Sequence, residues 1–167
     1  GHRIVPVAST KGASGNEKPT QRSWLAGDHH VHSWFSVGVK LSADPSQPPA
    51  LIKAGDASNP IPTNATMGLK YGLSWMVSTD HGGPNHSKIN RDQAYPELLR
   101  SRREHPGLMH FFGMELDVPG AEHASVILPR TPAERDALFG IESRFSRREP
   151  WPADPAWNTE ARMVEAL

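Results

Sequence analysis

Residues 73–83 read LSWMVSTDHGG: a compact apolar run from Leu73 to Val77 that turns polar, meets Asp80 and His81, and ends on two glycines. The apolar part reads as a buried strand, and the glycines let the backbone turn sharply after it. In α/β folds the carboxyl end of a parallel strand is where ligands and catalytic groups collect. The same stretch also fits an ordinary strand-to-loop turn with a capping aspartate.

Upstream, LAGDHHVHSWFS (25–36) places three of the nine histidines within four positions. Read as a short strand over Trp24 to His32, it puts Asp28, His30 and His32 on one side and His29 and Val31 on the other. Two neutral imidazoles at that spacing make a bidentate grip on a divalent cation, with Asp28 available to orient one ring. The competing reading is a pair of exposed or hydrogen-bonded histidines. Downstream, LMHFFGMEL (108–116) is a second buried strand, with Glu115 near its end between Met114 and Leu116. Burying that carboxylate uncompensated costs several kcal/mol or forces it to take up a proton, whereas a cation removes the problem. His123 then opens a third apolar run, ASVILP, where it either ligates or caps an edge strand.

The remaining chain supplies connections. ASTKGASGNEKPTQRS (8–23) is polar, rich in Gly, Ser and Lys, and cannot bury enough apolar area to order itself, so residues 1–22 read as a flexible N-terminal segment. Residues 23–167 form one α/β domain. SADPSQPPALIKAGDASNPIP (42–62) reads as an inserted surface loop. A short helix follows from Thr63 or Asn64 to Gly72, and a second spans Lys88 to Glu104, broken or restarted near Pro96. TPAE from Thr131 supplies an N-cap, a first-turn proline and a capping-box glutamate for a third. A last helix starts at Asp154 and Pro155. Strand, helix, strand, helix, strand in sequence predicts α/β with mainly parallel pairing.

Composition narrows the function classes. Eighteen basic residues balance eighteen acidic ones, so no global field draws the chain to nucleic acid or to an anionic membrane. No apolar run approaches the ~20 residues that cross a bilayer. The N-terminus lacks the order of a signal peptide, which fits a cytoplasmic protein or a periplasmic one whose signal has been removed. The absence of cysteine excludes disulfides, thiolate zinc sites and a cysteine nucleophile. There is no Walker loop, no Gly-x-Ser-x-Gly elbow and no GxGxxG.

His30, His32, Asp80, His81, Glu115 and His123 therefore all fall at strand ends. Imidazole and carboxylate without sulfur suit Zn, Mn or Fe. A glutamate among several histidines can bridge two ions, and ions a few ångströms apart polarise a phosphoryl oxygen and convert water to hydroxide near neutral pH.

In this order GDHHVHS, STDHGG and GMEL with the following His123 resemble the three motifs of the PHP family, the polymerase and histidinol phosphatase domain of metal-dependent phosphoesterases. The resemblance covers Trp24 to about Leu128. It implies a distorted (β/α)7 TIM-like barrel, here only its N-terminal part, with two or three divalent ions (Zn, Mn or Fe) at its C-terminal face. It further implies that His30, His32 and Glu115 hold one ion, Glu115 and His123 a second, and that His81 belongs to a third. Two departures stand out. The family often carries an aspartate where this chain has Val37, and its late Asp-x-His motif has no counterpart, because His123 is the last histidine.

The expected function is a metal-dependent hydrolase of small phosphorylated substrates, with Asp80 or a residue from a C-terminal remainder handling protons and His86 and Lys88 placed to meet a substrate phosphate. Neither a nucleic-acid nor a membrane partner is expected. A second copy, or the C-terminal remainder of a longer chain, would supply the missing ligands. The rival readings are a non-catalytic metal-binding scaffold of the same fold and an amidohydrolase-type metal hydrolase, which expects a bridging lysine that Lys70 and Lys88 are poorly placed to provide.

Overall fold

A computed structural model of the chain describes residues 23–166; the N-terminal segment expected to be flexible lies outside the described residues. The strand after the first histidine motif's leading residues is β1, Gly27–Val31, and an antiparallel pair follows from β2, Gly38–Lys40, and β3, Ala50–Ile52. Helix α1, Ile61–Lys70, leads into β4, Trp75–Ser78. A helical run of α2, His86–Ile89, a π-helical turn, Asn90–Ala94, and α3, Tyr95–Glu104, precedes the long strand β5, Met109–Asp117. Strand β6, His123–Ile127, and helix α4, Glu134–Phe145, come next, then a 3-10 turn, Pro155–Trp157, and α5, Glu160–Ala166.

Four strands form one sheet in the order β1-β4-β5-β6. The parallel pairing expected of an α/β chain is limited to β1–β4 and β4–β5. Strand β6 runs antiparallel to β5, with Asp117 opposite His123. The physical reason is the connection: residues 118–122 are too few for the crossover that parallel neighbours need, and they turn at Gly120, whose φ is +66°. The sheet curls until its outer strands meet, the His30 Nδ1 of β1 lying 2.8 Å from the Ser125 Oγ of β6. The distorted (β/α)7 barrel that the motif resemblance implies, whole or as its N-terminal part, is therefore not what forms; this is a mixed α/β fold with a four-stranded half-barrel and a small antiparallel sheet.

Alternation along β5 sorts the core from the site. His110, Phe112, Met114 and Leu116 point toward the helices, where Phe112, Met114 and Leu116 pack with Phe35, Ile61, Leu98 and Leu138. Glu115 and Asp117 face the concave side. A second apolar cluster of Ala65, Met76 and Leu108 closes the other end of the helical layer. His110 is buried and hydrogen-bonds through its two nitrogens to Ser78 and Ser101; burial, with Arg102 nearby, lowers its pKa to about 3.

Several local expectations shift. The stretch 42–62 read as an inserted loop contains β3, which pairs with β2. Helix α1 begins at Ile61 behind Pro60, and Asn64, expected as its cap, instead donates its side-chain amide to the His32 carbonyl at 2.8 Å. Glu134, expected to close a capping box, is buried and bound by Arg102 and, at 3.1 Å, by the Tyr95 hydroxyl. The last helix is split, a 3-10 turn capped by Asp154 preceding α5.

His86, expected to meet substrate, is instead part of the interior. Its Nδ1 lies 2.6 Å from Glu142 Oε1 and its Nε2 lies 2.8 Å from the Phe35 carbonyl. Both neighbours are acceptors, so the ring satisfies them only when both nitrogens carry protons. Burial opposes that charge, but the Glu142 carboxylate and the Phe35 carbonyl outweigh it and lift the pKa to about 9. Because the folded value lies above the ordinary 6.5, this stability is fully present below pH 6.5 and is lost as pH rises through 9. Urea unfolding in the presence of a chelator is expected to show a fall of roughly 3 kcal/mol across that window, and His86→Gln to flatten it.

Candidate metal centre

The short strand β1 delivers His30 and, one residue beyond its end, His32, to the concave side. His81 follows β4, Glu115 lies on β5 and His123 opens β6. Glu115 is the point on which they converge. Its Oε2 lies 3.1 Å from His32 Nε2 and 3.5 Å from both His30 Nε2 and His81 Nε2, and its Oε1 lies 2.7 Å from His123 Nδ1. The Nε2 atoms of His30 and His32 stand 2.8 Å apart. Five residues proposed as ligands from the sequence are thus brought together.

Two residues that sequence reading missed complete the cluster. Asp56, from the loop after β3, accepts a short hydrogen bond from His32 Nδ1 and lies 3.4 Å from His81 Nε2. The loop is returned to the site by backbone bonds, Ala54 N–H to the Trp34 carbonyl at 2.8 Å and Gly55 N–H to the Ser36 carbonyl at 3.1 Å. Nothing local in the sequence marks that return. Asp117 lies two residues beyond Glu115 on the same face of β5, so the period-two argument applied to His30 and His32 also reaches it. Its Oδ1 is buried without a well-aligned hydrogen bond, 3.1 Å from His123 Nε2 and 3.5 Å from Arg148 Nε.

The donor set fits a metal ion. Atoms held about 2.0–2.2 Å from zinc in a tetrahedral shell stand roughly 3.3–3.6 Å from one another; the separations of Glu115 Oε2 from His30, His32 and His81, 3.1 to 3.5 Å, lie near that range, and the His30 and His32 Nε2 atoms stand closer, at 2.8 Å. His32 Nδ1 is directed at Asp56 and His30 Nδ1 at Ser125, leaving both Nε2 atoms directed at one point with Glu115. Imidazole lone pairs facing each other at 2.8 Å repel unless a proton or a cation lies between them. Two groups, His30 with His32 and Glu115, and His32 with Asp56 and His81, can each hold an ion. Since they share His32, Asp56 also serves the first group by fixing the tautomer and the tilt of that ring.

Electrostatics agree with the geometry. The His32 hydrogen bond holds the Asp56 carboxyl below its usual range against a small opposing effect of burial. Burial pushes Glu115 upward, but the His123 hydrogen bond and the surrounding imidazoles outweigh it and leave it lowered. Burial dominates at Asp117 and raises it despite Arg148 and His123.

Asp80 is placed differently from its expected role. It is 2 % exposed, and its oxygens accept from the Ser33 N–H at 2.5 Å, the Ser33 hydroxyl at 2.7 Å and the Ser36 hydroxyl at 3.0 Å. It thereby ties the segment that carries His32 to the strand end that carries His81, a positioning task. Asp28 accepts from the His30 backbone N–H at 3.0 Å and does not orient a ring. Lys88 is exposed and donates to Asn85. Val37, where the resembled family has an aspartate, is buried, and a side chain on Gly82 would strike it at 2.4 Å.

Comparison of the chain with protein-family models, with curated proteins and with solved structures gives no match in any of the three.

Zinc added at about 100 times its dissociation constant is expected to stabilise the fold by about 2.7 kcal/mol. Chelator-competition titration is expected to show that Glu115→Gln abolishes this binding, and that Asp56→Asn weakens it by about 10- to 100-fold through the loosened His32 ring.

Proposed function

We propose that the chain is a metal-dependent hydrolase acting on phosphate esters, with two divalent ions of the zinc, manganese or iron type held by His30, His32, His81, His123, Glu115 and Asp56. The observation that carries the reading is the convergence of three imidazole Nε2 atoms on one oxygen of Glu115, while the other oxygen faces His123. A carboxylate with its two oxygens turned to different histidines suits a bridging role between neighbouring ions. Ions held there supply Lewis acidity toward a phosphoryl oxygen and lower the pKa of water at the centre.

The chain's own residues do the rest. Glu115 and Asp56 offset positive charge at the centre, Asp56 and Ser125 orient the His32 and His30 rings, and Asp80 keeps the two histidine-bearing segments in register. Arg148, beside Asp117, brings a guanidinium to the edge of the cluster, suited to a phosphate oxygen. The resemblance of the motif order to that of PHP-type phosphoesterases supports a phosphate ester as substrate over other hydrolysable groups.

A non-catalytic metal scaffold is the second reading, and one observation favours it: Asp80, the expected proton carrier, has its oxygens engaged by serines. Assay of the metal-loaded chain against a panel of phosphomonoesters and diesters separates the two. Hydrolysis that is lost with chelator and equally lost in Glu115→Gln, which no longer binds the ions, is expected; tight metal binding with no turnover of any ester favours the scaffold.

A further inference from the structure

We propose that the cavity beside the metal centre receives the organic group of the ester, and that this group is aromatic or similarly bulky and apolar; the inference rests on the phosphoesterase reading. A cavity of about 360 Å³ lies between the β2–β3 hairpin and the segment 147–153, large enough for a ring-sized substituent. Its walls include Val39, Leu41, Pro49 and Trp151, and the charged groups among its described lining are Arg147 and Arg148. Val39 and Leu41 are 48 % and 75 % exposed, apolar surface that an apolar ligand would remove from water.

The cavity borders the centre on two sides. Arg148 Nε is 3.5 Å from Asp117 Oδ1, and that oxygen is 3.1 Å from His123 Nε2. On the other side Val37, part of the lining, donates its backbone N–H to the His81 carbonyl at 3.0 Å. An ester whose phosphoryl group sits at the histidine cluster therefore has this cavity within reach of its substituent. Charge points the same way. Asp56, Glu115 and Asp117 surround the centre, so a phosphate dianion needs bound cations and the two guanidiniums to approach. The walls beyond the arginines provide apolar side chains rather than the polar groups that a sugar or a peptide would require.

Phosphonates test this without turnover. Calorimetric titration of the zinc-loaded chain is expected to show phenylphosphonate binding about tenfold tighter than methylphosphonate, the scale of partial burial of one aromatic ring. Leu41→Asp, at an exposed position, is expected to close that gap, and Arg148→Gln to weaken both ligands. Equal affinity of the two phosphonates, or a gap that survives Leu41→Asp, overturns the cavity assignment while leaving a metal-phosphate site standing. Phenylphosphonate binding that persists undiminished after chelation overturns the link between cavity and centre. Binding of neither phosphonate by the zinc-loaded chain removes both this inference and the reading on which it rests.

Discussion

Glu115 sits where four imidazoles from three separate segments meet, and most of the architecture can be understood as the means of putting its carboxylate there. The residue belongs to the longest strand, among side chains that alternate between the helical core and the concave face. Phe112, Met114 and Leu116 anchor one face of β5 in the apolar cluster, which fixes the direction of Glu115 and Asp117 on the other. A strand anchored in this way cannot rotate its polar face without exposing its apolar one. The ligand arrangement thus inherits its rigidity from the core behind it.

Curvature does the remaining work. In a flat sheet, β1 and β6 would stand at opposite edges with two strands between them, and His30 would be too distant from Ser125 to touch it. Curling brings them together and lets histidines at sequence positions 30 and 123 face the same carboxylate. The Asp80 contacts with Ser33 and Ser36 brace the rim of this half-barrel, and the returning loop adds Asp56. The fold reaches a barrel-like site with two parallel steps and one hairpin.

Much of this is legible in the sequence. Period-two alternation places His30 and His32 on one side, as their Nε2 atoms 2.8 Å apart show, and the solitary carboxylate in an apolar strand, Glu115, is the one the histidines surround. Alternation applied once more would have included Asp117. Charged and polar residues that finish deep inside were harder to read, because burial depends on neighbours remote in sequence. His86 and Glu142 are 56 positions apart, as are few residues that a local window would compare. Asp80 looked like a proton carrier because its position at a strand end is also that of many catalytic groups, and only the facing serines reveal its positioning task.

The sequence by itself determined which residue types are available for chemistry, their place at strand ends, and the alternation that separates ligand face from core face. These are local properties, set by strand periodicity and by the cost of burying a charge. Tertiary structure decided that β6 returns antiparallel, that the sheet of the described residues curls until β1 meets β6, and that Asp56 joins the histidines. Each of those outcomes depends on loop closure and on packing between distant segments, where the governing energies arise only once the chain has folded back on itself.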